Sequence, residues 1–370
     1  MRNRGVGRMP VWIWQKSTWP EFQYDAARLR PLEDRFLHLG GLAVANLDYL
    51  SPSDKTAIKI SLFEEEAVET SAIEGEVLDR ASVQSSLRRH MGLMAAGRSH
   101  PREAGIAEMM THIGKSFEDP LTEEMLCQWH RLVVAGRSDV DEVGRYRTDP
   151  SPMQVVSGPD HDRTVHYEAP PSSAVPHEMA RFLLWFNASR ENVPALTRAG
   201  LAHLWYETVH AFEDGNGRIG RSISQKALGQ AIGAPPISML SEIITRNKVA
   251  YYDALNAAQK GGSVHDWLTW FAETALAAQA RTIERIRFII MKTRLLDTHM
   301  TTLNARQRKA VLRLFDAGPD GFKGGLSAQN YIKITGATVP TTTRDLADLA
   351  DRGILRREGE KRYTRYYLAV

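Results

Sequence analysis

Apolar residues recur every three to four positions over most of the chain, and this spacing predicts a mainly helical protein. Leu29, Leu32, Phe36 and Leu37 mark a helix behind a start crowded with Trp12, Trp14, Trp19, Phe22 and Tyr24, which reads as a small packed N-terminal unit. Core packing is the simpler role for these indoles, because each buries a large area once its N–H finds a partner; an aromatic ligand cage is the alternative. Ile58, Ile60, Leu62, Phe63, Val68 and Ile73 predict a long helix ending near Gly75, with Glu64, Glu65 and Glu66 on a solvated face. Helical patterns continue over residues 101–135, 173–186 and 195–276. The period changes between 144 and 171. There Met153, Val155 and Val156 precede Gly158-Pro159-Asp160, and Thr164, Val165, His166 and Tyr167 precede Pro170-Pro171, which predicts a β-hairpin.

Beyond Leu303 the pattern predicts helices over 305–315, 327–335 and 341–351. A turn at Gly318-Pro319-Asp320-Gly321 separates the first two, and Ile354-Leu355, a charged turn around Gly359 and the stretch 363–368 alternate as a terminal hairpin. Three helices and a hairpin make a winged helix-turn-helix. The expected organisation is an N-terminal helical domain over 1–98, a catalytic core over 99–285, a linker helix over 286–302 and the winged helix over 303–370.

Composition narrows the class. At 370 residues, 43% hydrophobic and 25% charged, the chain can bury a core without staples, and its single cysteine, Cys127, excludes an intramolecular disulfide or a cysteine-rich zinc site. A reducing cytoplasm is the expected compartment. No apolar run reaches the roughly 18 residues of a membrane span, and Arg2, Arg4 and Arg8 at the start have no apolar segment behind them. A net charge of +3 implies no nucleic-acid partner for the chain as a whole.

The chemistry concentrates in His210-Ala211-Phe212-Glu213-Asp214-Gly215-Asn216-Gly217-Arg218-Ile219-Gly220-Arg221, between two helical patterns. Two glycines let the backbone approach a ligand, and the first N–H groups of the following helix lack intrahelical partners, so together they form a phosphate cradle. Arg218 and Arg221, three apart, reach the same side and can hold further phosphates. Asp214 offers the hard oxygen that Mg²⁺ requires, and His210 is the group able to take a proton near neutral pH. Each piece alone reads as a turn, a helix cap or surface charge; the conjunction is far more specific.

These residues resemble the signature HPFx(D/E)GNGRxxR of Fic-domain AMP-transferases, matching every defined position except Ala211, where the family usually has proline. The resemblance implies a Fic helical core with a β-hairpin flap. It implies that His210 is the general base for a target hydroxyl, that Phe212 anchors the loop and that Asp214 binds Mg²⁺. Gly215, Asn216 and Gly217 would hold the α- and β-phosphates of ATP, Arg218 the β-phosphate side and Arg221 the γ-phosphate. Upstream, Thr70-Ser71-Ala72-Ile73-Glu74-Gly75 is similar to the family's inhibitory pattern (S/T)xxxE(G/N), in which a Glu74 carboxylate paired with Arg221 takes the place a γ-phosphate needs. The hairpin is similar to the family's flap, with Thr164, Val165, His166 and Tyr167 aligning a target peptide by β-augmentation. Residues 247–255 resemble the segment beside the adenine, with Tyr252 and Gln259 as nucleotide contacts and core packing as the alternative. The Trp-rich start and the winged helix match a bacterial subgroup of the family.

The implied activity is transfer of AMP to a Ser, Thr or Tyr hydroxyl of a protein, with self-modification and a homodimer among the expectations from resemblance. A different donor nucleotide, or removal of AMP through a water positioned by the inhibitory glutamate, remains open. So does a second class, a DNA-binding regulator. Arg344 on the recognition helix and Arg356, Arg357, Lys361, Arg362 and Arg365 in the wing make a phosphate footprint, against Glu358 and Glu360. DNA binding is not the favoured use of that module, since winged helices also dimerise or dock on proteins and a charged wing is often only solvated surface. Gly92 to Ser99 approaches a Walker A loop but lacks its lysine and its preceding strand, and His203 with His210 makes no zinc motif, which leaves His203 structural.

Overall fold

The computed structural model describes residues 11–48, 50–94, 99–157, 164–236 and 238–369. The Gly158-Pro159-Asp160 turn, residues 95–98 of the Walker-like loop and the N-terminal arginines lie outside them. Helices α1 (Ala26–Asp48), α2 (Pro52–Ile73), α3 (Arg80–His90), α4 (Pro101–Lys115) and α5 (Glu123–Val133) are followed by strands β1 (Gln154–Ser157) and β2 (Thr164–Glu168). Next come α6 (Val175–Ala188), α7 (Ala195–Val209), α8 (Asn216–Ile232), α9 (Leu240–Arg246), α10 (Lys248–Gln259) and α11 (Val264–His299). The chain ends with α12 (Ala305–Phe315), α13 (Ala328–Thr335), α14 (Val339–Asp351), β3 (Leu355–Glu358) and β4 (Arg365–Leu368). The mainly helical class predicted from periodicity is the one observed. No described helix is long and apolar enough to cross a membrane.

Two compact units divide the chain: Met1–Asp48 with Lys55–Thr282, and Tyr49–Asp54 with Ile283–Val370. In the first, α7 is the central element, buried from Leu196 to Val209. Its small residues allow this, since a side chain at Gly200 would run into Leu268 and Phe271. Buried Glu33 of α1 caps the helix, its carboxylate accepting from the Leu196 and Thr197 N–H groups, each at 2.8 Å. Phe182, Leu204, Tyr206, Ile219, Ile223 and Trp267 share the surrounding core. Full burial of each large side chain stabilises the unit by about 1.5–3 kcal/mol.

The tryptophan-rich start packs as expected, and the indole N–H groups of Trp14 and Trp19 are matched. Trp14 Nε1 donates to Glu168 O at 2.8 Å and Trp19 Nε1 to Glu178 Oε2 at 2.9 Å, while Trp12 meets Tyr167 edge to face with centroids 5.3 Å apart. The N-terminal segment thus anchors the base of the β1–β2 hairpin. That hairpin is antiparallel, from Gln154 opposite Glu168 to Ser157 opposite Thr164, with an irregularity between Val155 and Val156.

The helical patterns over 101–135 resolve into α4 and α5, because the stretch around Asp119-Pro120 cannot continue α4. The stretch 286–299 of the expected linker helix is helical and continuous with the helix before it as the end of α11, 36 residues with neither glycine nor proline to end it. In the second unit α12 to α14 surround Val311, Leu314, Tyr331, Leu346 and Leu349. Asp345 ties them together, accepting from Arg306 Nε at 2.8 Å and Tyr331 OH at 3.0 Å. β3 and β4 pair antiparallel, and Leu326 bridges to Tyr366 beside them.

Candidate functional site

The site forms where α2, α7 and α8 converge. α7 ends at His210, which adopts a left-handed backbone (φ 51°, ψ 62°), a conformation costing a non-glycine residue about 1–3 kcal/mol. Buried Arg147, which the sequence reading missed, compensates. Its Nε donates to His210 O at 2.7 Å, its Nη2 to Pro170 O at 2.5 Å and Val209 O at 3.3 Å, and its backbone N–H to Ala211 O at 3.0 Å. One guanidinium therefore holds the His210 turn against the end of the hairpin. His210 Nδ1 lies 3.4 Å from Glu207 O, so the tautomer that donates there leaves the Nε2 lone pair as the proton acceptor. Burial pushes the imidazole down to about 4, which keeps it neutral and ready to accept a proton at physiological pH.

The loop folds around two side chains. Phe212 is fully buried and stacks on His130, centroids 4.3 Å apart and rings 7° from parallel. Asn216 closes the loop, with Phe212 N–H donating to its Oδ1 at 3.0 Å and its Nδ2 donating to Phe212 O at 2.8 Å. Its amide is therefore spent on loop geometry, and what Asn216 offers a phosphate is its backbone. Gly215 takes φ 77° as the residue before α8, and a side chain there would press on Val133.

Arg218 and Arg221 are 2% and 1% exposed, and carboxylates meet both. Arg221 donates from Nε to Thr70 Oγ1 at 2.7 Å and from Nη2 to Thr70 O at 2.9 Å and Glu74 Oε1 at 2.7 Å. A Cβ at Gly217 would overlap Glu74 Oε1, so this carboxylate lies over the start of α8, where the cradle would hold an anion. Arg218 Nη1 donates to Glu76 Oε2 at 2.7 Å. Arg221 Nη1 and Arg218 Nε remain buried without a hydrogen-bond partner among the described residues.

Both carboxylates are delivered by the way α2 ends. Glu76 N–H bonds to Ser71 O and Gly75 N–H to Ala72 O, a Schellman pair closed by Gly75 at φ 84°. This places Glu74 and Glu76 on either side of the turning glycine. Glu76, the residue after the inhibitory pattern, was not singled out from sequence.

Asp214 Oδ1 accepts from the Gly215 N–H, and Oδ2 pairs with Arg137 Nη1 at 2.6 Å. Arg137 Nη1 also lies 3.9 Å from Glu76 Oε1. The Asp214 side chain is 42% exposed, and no group of three or more His, Cys, Asp or Glu able to hold a metal occurs among the described residues. One accessible carboxylate fits Mg²⁺ that takes its other oxygens from a nucleotide and water, the usual manner for this ion. Glu207, also missed, is buried three residues before His210; burial pushes its carboxyl up to about 8 against the pull of Arg221, and its Oε1 has no partner among the described residues.

The outlying expectations divide. Tyr252 is half-buried, its ring tilted 53° to that of Tyr251 with centroids 4.9 Å apart, and its phenol is shifted up by burial and then by Glu74, which places it in the field of the Glu74–Arg221 pair. Gln259 lies seven residues further along α10 with its side chain 3% exposed, a core position. In the hairpin Thr164 and Val165 are exposed and His166 is half-buried, but Tyr167 is buried and donates to Thr208 O at 2.6 Å, so its side chain clamps the hairpin to α7. His203 is structural, bonded to Tyr251 OH at 2.8 Å and Ser224 Oγ at 3.2 Å.

Residues 120–228 match the Fic/DOC family, and residues 12–93 match a domain of unknown function, DUF4172. Protein adenylyltransferase Fic of Culex quinquefasciatus is 29% identical over 196 residues, 51% of this chain and 35% of that protein. Protein adenylyltransferase fic-1 of Caenorhabditis elegans is 27% identical over 200 residues, 52% of this chain and 36% of that protein. The chain thus spans about a third of the length of these curated relatives. The crystal structure of a Fic family protein from Desulfovibrio desulfuricans G20 superposes with a TM-score of 0.52 at 21% identity, covering 91% of this chain and 96% of that one, a likeness of fold.

Proposed function

We propose, from the premise that residues 120–228 form a domain of the Fic/DOC family, that the chain transfers AMP from ATP to a Ser, Thr or Tyr hydroxyl of a protein, and that residues 70–76 restrain it. The observation that carries this reading is the Glu74 carboxylate lying over the start of α8, 2.7 Å from Arg221 Nη2, beside a buried guanidinium nitrogen without a partner among the described residues. An anion site is built there, and an internal anion fills it.

With a nucleotide in that cradle, the target hydroxyl oxygen attacks the α-phosphorus. Its proton passes to His210 Nε2, the bond to the bridging oxygen breaks, and pyrophosphate leaves. Arg218 and Arg221 bind the leaving charge, and the backbone N–H groups at the start of α8 orient the phosphates. Mg²⁺ on Asp214 supplies further neutralisation of that charge. The β1–β2 pair presents open outer edges among the described residues, on which a peptide can align by main-chain bonds.

Restraint comes from two carboxylates. Glu74 claims Arg221 and Glu76 claims Arg218, so a triphosphate must displace Glu74 before Arg221 serves it and Glu76 before Arg218 does. The test is incorporation of label from α-labelled ATP into the protein and into a lysate, for wild type and Glu74→Gly. Strong labelling in the variant, weak labelling in wild type and none from γ-labelled ATP is the expected pattern. Absence of α-label in both would overturn AMP transfer.

A further inference from the structure

We propose that the second unit binds duplex DNA, with the exposed face of α14 in the major groove and the β3–β4 pair on the flanking phosphates. Charge is the first ground. Residues 283–370 carry seventeen Lys and Arg against nine Asp and Glu, a formal net charge of +8, whereas the whole chain carries +3. The remainder is therefore acidic, at −5, and the positive field belongs to this unit. Such asymmetry suits a polyanionic partner.

The second ground is the presentation of α14. α13 stops at Gly336, left-handed at φ 73°, and Thr338 leads directly into α14, so the two helices are joined by a three-residue turn. α14 buries Thr342, Asp345, Leu346 and Leu349 and exposes Val339, Pro340, Thr343, Arg344, Ala347 and, at its last residue, Asp351. The exposed set lies on one face at helical spacing and is slim. A guanidinium, a hydroxyl and small apolar groups are what base edges and thymine methyls accept in the major groove. A helix docking on a protein would instead need a broad apolar face, and here Leu346 and Leu349 face the unit's own core, leaving Val339 as the large apolar side chain that α14 exposes.

The third ground is a cleft of about 560 Å³ along the same face. Ser327 at the start of α13, Thr343 and Ala347 of α14, and Arg357, Lys361 and Arg365 of the terminal pair line it. Asp351 is the carboxylate among its lining residues. Three cations converging beside the groove-facing helix define the path of a phosphate backbone, which positions the duplex while α14 meets the bases.

The test uses the full chain and a fluorescent duplex of about 24 base pairs, followed by anisotropy between roughly 50 and 200 mM salt. With Arg344, Arg357, Lys361 and Arg365 each neutralising a phosphate, the slope of log K against log salt is about −3 to −4, a loss of about a hundredfold over that range. Arg344→Glu with Arg357→Glu should weaken binding at least about tenfold and flatten the slope by about 2. Lys309→Glu with Arg313→Glu, on exposed positions of α12, should stay within about twofold of wild type, and thermal unfolding of each variant controls for folding. Absence of binding at low salt, equal loss from the α12 variant, or single strands binding as tightly as duplex would each overturn the proposal. This reading is independent of AMP transfer, and either can fail alone.

Discussion

The backbone of His210 is held where an unassisted residue would not stay. In the proposed transfer, truncation to alanine removes the proton acceptor and no phosphate contact. His210→Ala should therefore abolish incorporation from α-labelled ATP while nucleotide affinity, measured by titration calorimetry, changes by less than about threefold. Arg147 acts on the reaction through this turn. Arg147→Lys leaves one ammonium to serve the carbonyls of Val209, His210 and Pro170, which lie around a planar fork. We expect a loss of about 2–4 kcal/mol in stability by denaturant titration, and a fall of more than about tenfold in kcat with KM for ATP much less affected, since the phosphate cradle lies on α8.

At the scale of elements, the Schellman end of α2 makes the proposed restraint a property of a segment. Removing Glu74 takes the carboxylate from Arg221 and leaves it Thr70, while Glu76 still holds Arg218 at 2.7 Å. Glu74→Gly with Glu76→Gln should bind ATP at least about fivefold more tightly than Glu74→Gly alone, which calorimetry on the two variants would check. Equal affinities would make Glu76 a bystander. The hairpin is likewise a unit, held at its base by Tyr167 on Thr208 and by Trp14 on Glu168 while Val155, Val156 and Val165 stay exposed.

Across the molecule, two buried groups near the site set opposite limbs of stability against pH. Burial, with Arg221 nearby, pushes His203 down to about 3, so its contribution is present above the unfolded value near 6.5 and is lost as pH falls toward 3. Glu207 is pushed up to about 8, so its contribution is present below the unfolded value near 4.5 and is lost as pH rises toward 8. Between those unfolded values the two slopes cancel; above about 6.5 the Glu207 limb alone remains. Glu207→Gln should flatten the fall in Tm between about pH 6.5 and 8, which a pH series of thermal melts would check.

What was legible in the sequence was what helix geometry sets locally. The glycines, arginines, carboxylate and histidine of residues 210–221 lie within twelve positions, so chain connectivity alone brings them to one helix start, and hydrophobic spacing located nearly every element of both units. The terminal hairpin and the flap were legible for the same reason, as alternation between turn residues. The partners of those groups were not. Arg147 reaches His210 across 63 positions, and Glu76 reaches Arg218 across 142. Neither has any periodic or compositional mark. Residue types and their local spacing therefore determined the chemistry on offer. Tertiary packing decided which charges face each other, because a buried guanidinium must find its counter-charge wherever the fold brings one within reach.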